Sequence, residues 1–382
     1  MIKRATSFWV FKLNSHVTSK LPVPINISNI WNFGRCLGLF LVLQVVTGLI
    51  LAGHYTADTS LAFDRIVSIR REVSWGWLLR ASHLNMASFF FFFLYIHICR
   101  GLYYGSYKYI SVWLTGFRIL ILSMITAFIG YVLPWGQISF WGATVITNLI
   151  SSLPIFGHYI VQWVWGGFGV CNATLTRFFI VHFCTPLFLI SLVFLHIFFL
   201  HKTGRQNPSN IESKYNILRF HPFFGLKDLL TFLSLFLILE LLVFLNPFFL
   251  GDPENFSIAN ILTTPDHIVP EWYFLFAYAV LRCIPRKGLG VLAIFASISI
   301  ILLPVVTIRW ADSSSRNSKA FWLPVQQILW LLLTFMILLT WLGGQAVSAP
   351  YVLVRQLVFF FFLIFNILLR SKPLILLLFS KP

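Results

Sequence analysis

Four histidines at one repeated interval dominate the chemistry open to this sequence. His83 and His97 bound the stretch HLNMASFFFFFLYIH, and His182 and His196 bound HFCTPLFLISLVFLH, so each pair is fourteen residues apart. An α-helix rises about 1.5 Å and turns about 100° per residue, so fourteen steps give roughly 21 Å of rise and return to within about 40° of the starting face. Each helix therefore shows two imidazoles on one side, near opposite ends. One such pair alone reads as two satisfied histidines at helix ends. Two matched pairs in apolar sequence point to a shared purpose, because an unpaired imidazole in hydrocarbon is costly. Neutral imidazoles facing one another across a bundle suit the two axial bonds to one iron, and two such levels suit two b-type haems. Zinc would want four ligands at each level, more than the sequence supplies.

The elements that must position these rings follow from composition. Of 382 residues, 58% are hydrophobic, 18% aromatic and only 10% charged, and the mean hydropathy is +0.85. Such a chain is an all-α integral membrane protein rather than a soluble domain. Apolar runs long enough to cross about 30 Å of hydrocarbon fall near residues 33–53, 76–101, 112–133, 177–200, 229–250, 288–308, 321–343 and 351–371. These are eight transmembrane helices, the first four forming the bundle that carries the histidines. Helices two and four are separated by one span, so they run the same way. His83 then faces His182 at one depth and His97 faces His196 at another. The flanking helices repeat the interval: Gly34 and Gly48 in helix one, Gly116 and Gly130 in helix three. Antiparallel packing places Gly34 and Gly116 at the inner level and Gly48 and Gly130 at the outer. Glycine lets a flat macrocycle approach the backbone, although small-residue helix packing explains any single one of them equally well. Arg80 and Arg100 stand three residues outside His83 and His97, where a guanidinium can pair with haem propionates while snorkelling to the interface.

Eight spans put both termini on one side. Lys3, Arg4, Lys12 and Lys20 precede helix one; Lys108, with Arg100 and Arg118, marks the loop between helices two and three; Lys202, Arg205, Lys214, Arg219 and Lys227 mark the connection between helices four and five. Arg309, Arg316 and Lys319 follow helix six, and Arg370, Lys372 and Lys381 close the chain. Most acids, namely Asp58, Asp64, Glu72, Asp252, Glu254, Asp266 and Glu271, fall in the opposite loops. The positive side is inside. The net charge of +17 thus reads as topology and contact with anionic lipid head groups, and no nucleic-acid module accompanies it. Five cysteines without C-x-x-C-H or zinc spacing indicate neither a disulfide frame nor covalent haem. The opening MIKRATSFWVFKLNSHVTSK, basic, free of acids and rich in Ser, has the composition of an organelle transit peptide; the inner-side amphipathic arm is the alternative, and it is the one that the family resemblance given below implies. The division expected is an arm over 1–32, a dihaem bundle over 33–205 with an outer connection at 134–176, and a C-terminal four-helix region over 206–382 with an outer loop at 251–287. A ferric-reductase-type dihaem protein would need a flavin and nicotinamide domain, and the loops are too short for one. A transporter would explain the hydrophobicity without the histidines.

The segments WNFGRCLG at 31–38, GHYTAD at 53–58, GYVLPWGQISFWGATVITNL at 130–149 and PEWYFLFAYAVLRCIP at 270–285, with the two histidine pairs, resemble the cytochrome b family of the respiratory ubiquinol to cytochrome c oxidoreductase, complex III. The unbroken chain is similar to the mitochondrial and bacterial type. The resemblance implies that His83 and His182 ligate an outer, low-potential haem and His97 and His196 an inner, high-potential one. It implies quinol oxidation at the PEWY loop, with Glu271 as proton acceptor and Pro270, Tyr273, Tyr131, Gly142 and Tyr278 as pocket residues; from the residues alone, Glu271 reads equally as a turn carboxylate capping the next helix. It implies quinone reduction on the inner side near His201, Asp228, Lys227 and Asn32. It also implies two non-covalent haems, ubiquinol and ubiquinone as substrates, and the Rieske iron-sulfur protein and cytochrome c1 as partners. A homodimeric complex with bound cardiolipin, an organelle-encoded chain and the mitochondrial inner membrane, with both termini on the matrix side, complete the expectation. The implied mechanism sends one electron of quinol to the iron-sulfur partner and the other across the membrane, with protons released outside and taken up inside. The chain departs from the family at Lys202, where animal members commonly have an acid, at Arg35 and Arg205, where small polar residues are common, and at Met86, where a glycine is common.

Overall fold

The computed structural model describes residues 21–204, 206–209, 216–308 and 323–369. The first twenty residues of the arm, Arg205, Lys214, the basic run at 309–319 and the C-terminal cations lie outside the described residues. In chain order the chain forms strand β1 (Pro22–Pro24), α1 (Phe33–Ala52), α2 (Ala62–Arg71), α3 (Gly76–Tyr103), α4 (Ile110–Val132), α5 (Gln137–Asn148), α6 (Gly157–Trp165) and α7 (Asn172–Thr203). There follow strand β2 (Ile217–Arg219), α8 (Phe223–Leu245), α9 (Leu275–Cys283), α10 (Lys287–Ser299), α11 (Leu303–Ile308), α12 (Leu323–Gly343) and α13 (Tyr351–Leu368). Among the described residues, eight segments are long and apolar enough to cross a bilayer: α1, α3, α4, α7, α8, the stretch from α10 through Val305, α12 and α13. The expected all-α membrane architecture with eight spans is therefore present.

Helix ends follow from local chemistry. At the start of α7 the Cys171 backbone N–H donates to Thr174 Oγ1 at 3.1 Å, which satisfies a donor that the first helical turn leaves open. Gly204, at φ +81°, ends that helix. His201 thus sits in the last turn of α7 and does not follow it. The fifth span also differs from expectation. It runs from Phe223 to Leu245, between Pro222 and Pro247, because a proline at either end limits helical pairing. Asp228 consequently lies inside α8, one turn in, and does not precede it.

The connection at 134–176 is folded into α5 and α6. After α5 a 3₁₀ turn at Leu149–Ser152 leads to Pro154, and α6 then starts at Gly157. The short outer helix α2 was not expected at all. Before α1, β1 pairs antiparallel with β2, Val23 opposite Leu218, and the Trp31 indole N–H donates to the Gln206 carbonyl at 2.9 Å. The entry to α1 and the connection after α7 are thereby joined.

Inside the membrane α1 packs along α3 and α4 along α7. In the C-terminal half, α9 packs against α12, and α12 against α13. The last carbonyls of α12 are capped by two guanidinium groups: Arg355 Nη2 donates to Leu342 at 3.1 Å and Arg282 Nη1 to Gly343 at 3.2 Å. Cations there complement the negative end of the helix dipole. Arg355 is completely buried for this purpose. Gly343 has a steric role as well, since a methyl group at its Cα would lie 2.1 Å from the Leu275 carbonyl oxygen. The end of α12 thus touches the backbone at the start of α9, directly after the 270–274 loop. Gly343→Ala is expected to force these backbones apart at a cost of about 1–3 kcal/mol, as overpacking does. Thermal unfolding of the assembled protein checks this, and an unchanged midpoint would refute it.

Candidate functional site

The two packed helix pairs bring the four histidines together as two couples. His83 on α3 and His182 on α7 have ring centroids 6.5 Å apart, and His97 and His196 have centroids 6.4 Å apart. Two imidazoles bonded in line through Nε2 to one metal, at about 2.0–2.1 Å each, put their centroids roughly 6.3 Å apart. Both couples fit one ion between them. Among the described residues no group of three or more metal-binding side chains occurs, so each couple offers two ligands only, and a metal held there needs its other bonds from a macrocycle.

Three of the four rings have their tautomer set by their neighbours. Thr47 Oγ1 gives its proton to the Leu43 carbonyl at 2.7 Å and therefore accepts from His83 Nδ1 at 2.9 Å. Thr115 Oγ1 likewise donates to Ser111 at 2.8 Å and accepts from His196 Nδ1 at 3.1 Å. His182 Nδ1 donates to the Thr126 carbonyl at 2.9 Å. With the proton on Nδ1, the Nε2 lone pair is free for a metal. His97 is the exception. Its Nδ1 lies 3.1 Å from Arg100 Nη2, a pure donor, which places the ring proton on Nε2 instead. Arg100 Nε is also enclosed with no hydrogen-bond partner among the described residues. A carboxylate at Arg100 would satisfy that nitrogen and draw the guanidinium away from His97, so this corner fits a macrocycle bearing acidic side chains.

Each expected glycine lies against its own histidine. A methyl group at Gly34 would stand 3.1 Å from His97 Cε1, at Gly48 3.2 Å from His83, at Gly116 3.2 Å from His196, and at Gly130 only 2.3 Å from His182. These positions leave room for the ligand rings, which is a closer role than room for the macrocycle alone. Thr47, Thr115 and Thr126 escaped the reading of the sequence. Two of them carry a visible signal, because Thr47-Gly48 and Thr115-Gly116 repeat one dipeptide at corresponding positions of α1 and α4.

A cavity of about 230 Å³ at the outer level is lined by Gly48, Arg80, His83, Gly130, His182 and, at one edge, Glu271. A second cavity, of about 30 Å³, is lined by Tyr131, Gly142, Ile268, Pro270, Glu271 and Tyr278. Glu271 and Tyr131 line both, so they form the wall between. A methyl group at Gly142 would meet nothing within 4 Å, which makes that glycine a widener of the small cavity. Tyr278 closes it by donating to the Ile268 carbonyl at 3.0 Å. Tyr273 belongs elsewhere: its ring stacks on Phe91 at 4.3 Å and it lines the larger cavity. Glu271 is buried, and Oε1 has no hydrogen-bond partner among the described residues. Burial pushes its carboxyl up to about 7; the Tyr131 hydroxyl, which donates to it, pulls the other way, Asp252 adds to the rise, and Arg80 opposes it.

At the inner level, Arg35 on α1 forms an ion pair with Asp228 on α8. Asn32 Nδ2 donates to Thr231 Oγ1 at 3.1 Å, and Lys227 Nζ to the Ile27 carbonyl at 2.9 Å. Arg35 is thus paired with Asp228, Lys227 is directed to backbone, and Arg205 lies outside the described residues.

Fold and site together define a multi-pass membrane cytochrome of electron transfer. The chain belongs to the cytochrome b family. The family model for cytochrome b/b6/petB matches residues 18–204, and that for cytochrome b(C-terminal)/b6/petD matches residues 258–363. A solved structure described as "Hyperthermophilic respiratory Complex III" is similar over 97% of this chain and 98% of its own, at 30% identity and a TM-score of 0.89. The histidine couples belong to the first matched region and Glu271 to the second. The family binds haem b. Gly130→Ala is expected to displace His182 and abolish the low-spin haem absorbance of the outer couple, whereas Gly48→Ala, with about 1 Å more room, retains it in part. Visible spectra of both variants check this; equal spectra would refute it.

Proposed function

We propose that this chain is the dihaem cytochrome b subunit of a quinol to cytochrome c oxidoreductase. It carries electrons from an outer quinol-oxidation site at Glu271 to an inner quinone-reduction site at His201 and Asp228, coupled to proton translocation. The observation that carries the reading is the pair of histidine couples, stacked on two helices at the separation of bis-imidazole ligation. His83 and His182 hold the outer, low-potential haem, and His97 and His196 the inner, high-potential one. Bound there, the haems supply one-electron carriers at two depths of the membrane.

The chain's own residues supply position and proton chemistry. Gly34, Gly48, Gly116 and Gly130 leave room for the ligand rings, and Arg80 and Arg100 bind the propionates. In the small outer cavity Pro270, Gly142, Tyr131 and Tyr278 enclose a quinol head group, and Tyr273 backs the loop from the haem side. A carboxyl that titrates near 7, unpaired on one oxygen and exposed to both cavities, suits acceptance of a proton from a quinol hydroxyl near neutral pH. The opposed helix-cap reading of Glu271 is weakened by its lack of any side-chain cap bond. Neither an iron-sulfur nor a C-x-x-C-H motif occurs in the sequence, so the second electron of each quinol needs a Rieske iron-sulfur protein and cytochrome c1. The similarity to a complex III structure supports assembly with such subunits in a homodimeric complex. The basic loops support termini on the matrix side of a mitochondrial inner membrane and contact with cardiolipin, and the family resemblance supports the domain division.

A reduced-minus-oxidised visible spectrum of the purified complex tests the reading: two b-type haems reducible by quinol without a nicotinamide are expected, and their absence overturns it. Quinol oxidation should rise with pH through about 7, because the ionised, proton-accepting form of Glu271 dominates above its pKa. In Glu271→Gln that limb disappears, and turnover falls on the order of a hundredfold with both haems retained. An unchanged profile would return Glu271 to a turn residue.

A further inference from the structure

Two cations meet at the end of α12. Arg355 Nη2 donates to the Leu342 carbonyl and Arg282 Nη1 to the next one, that of Gly343, so the two guanidiniums are neighbours and their charges repel. Each is held where it stands. The Arg282 guanidinium lies 4.9 Å from the centroid of the Tyr278 ring. The Arg355 backbone is tied to α9 by the Cys283 thiol, which donates to the Arg355 carbonyl at 3.4 Å, and by Gln356 Nε2, which donates to the Cys283 carbonyl at 3.0 Å. Arg355 is completely buried, yet its Nε and Nη1 have no hydrogen-bond partner among the described residues, although a buried N–H is normally paired.

The charges are unbalanced as well. A helix C-terminus offers about half a negative charge, against two positive charges here, and neither arginine makes an ion pair among the described residues. A buried charge without a counter-charge is strongly destabilising. We propose that Arg282 and Arg355 form a binding site for a small monovalent inorganic anion, with chloride as the representative, held by N–H groups of both guanidiniums. One negative charge brings the site close to neutral. Arg282 is only partly buried, so its long side chain can shift to admit an ion of atomic size beside Arg355 Nη1, whereas a phospholipid head group is too large to follow. The bound ion then ties α12 and α13 to α9. The site is independent of the proposed electron-transfer function and takes no part in it.

The test heats the purified complex in chloride and in gluconate at one ionic strength, gluconate being too large for the site. Wild type is expected to unfold at a midpoint a few degrees higher in chloride, with a saturable dependence on chloride concentration, as binding to the folded state alone requires. In crystals grown with bromide, anomalous diffraction should place one peak against both guanidiniums. Arg355→Gln keeps a donor for the Leu342 carbonyl but removes the charge, so the chloride dependence and the bromide peak should both vanish with the visible spectrum unchanged. Arg355→Lys restores a charge and should regain part of the dependence. Where Arg355→Gln fails to assemble, Arg282→Gln decides, with the same losses expected. A wild-type midpoint equal in the two salts, an undiminished chloride dependence in Arg355→Gln, no bromide at the pair, or phospholipid density there each overturns the proposal.

Discussion

An imidazole can offer its Nε2 lone pair to a metal only when the ring proton sits on Nδ1 and has an acceptor there. Inside hydrocarbon no water supplies that acceptor, so the helix packed alongside must. Thr47 on α1 and Thr115 on α4 provide it through hydroxyls whose own protons are already spent on their helix, and Thr126 provides a backbone carbonyl. This requirement explains why each histidine helix has one dedicated partner, α1 for α3 and α4 for α7. It also explains the glycines, since a ring that must reach across to a neighbouring helix needs that helix to be bare at the point of contact. Register along the bundle is then fixed at two depths at once. A slip of one residue would break two hydrogen bonds and drive rings into side chains.

The outer end is built on a different constraint. Glu271 stands on a short loop rather than a transmembrane helix, yet it must stay within reach of two cavities. Its loop is fixed behind by Trp272, whose indole donates to Ser88 at 3.1 Å, and by the Tyr273 carbonyl, which accepts from Tyr95. It is fixed ahead by α9, pressed against the end of α12 where two arginines cap the last carbonyls. Rigid elements on both sides let one carboxyl face two spaces without swinging between solvent exposures.

Periodicity made the spans and histidine couples legible, because apolar runs and a fourteen-residue interval are properties of one helix at a time. The structure places the expected partners together, from Gly34 with His97 to Gly142 with Glu271. Less legible were features decided between helices. Asp228 was read as preceding its helix because hydropathy falls at Lys227 and Asp228, whereas Pro222 sets the real start and the ion pair with Arg35 makes the burial of Asp228 tolerable. Arg35 stood out as a departure from the family pattern, and its pairing with a carboxylate 193 positions away is decided between helices. The threonines were passed over because a hydroxyl in a membrane helix usually bonds only its own backbone; here that same bond turns the oxygen into an acceptor for the histidine.

Two carboxylates, one towards each end of the bundle, are thus buried in opposite environments. Glu271 is buried with one oxygen unpaired, so burial makes it costly to ionise and ready to exchange a proton around neutral pH. Asp228 is buried beside a guanidinium, which offsets the cost of its charge and ties its geometry to Arg35. One residue class can thus be tuned for proton exchange at one end of the bundle and for a fixed geometry at the other. Among the described residues, the ion pair with Arg35 sets the two apart. At the other end Arg80 opposes the rise of the Glu271 carboxyl but burial outweighs it, which leaves that carboxyl the freer of the two to change its protonation state.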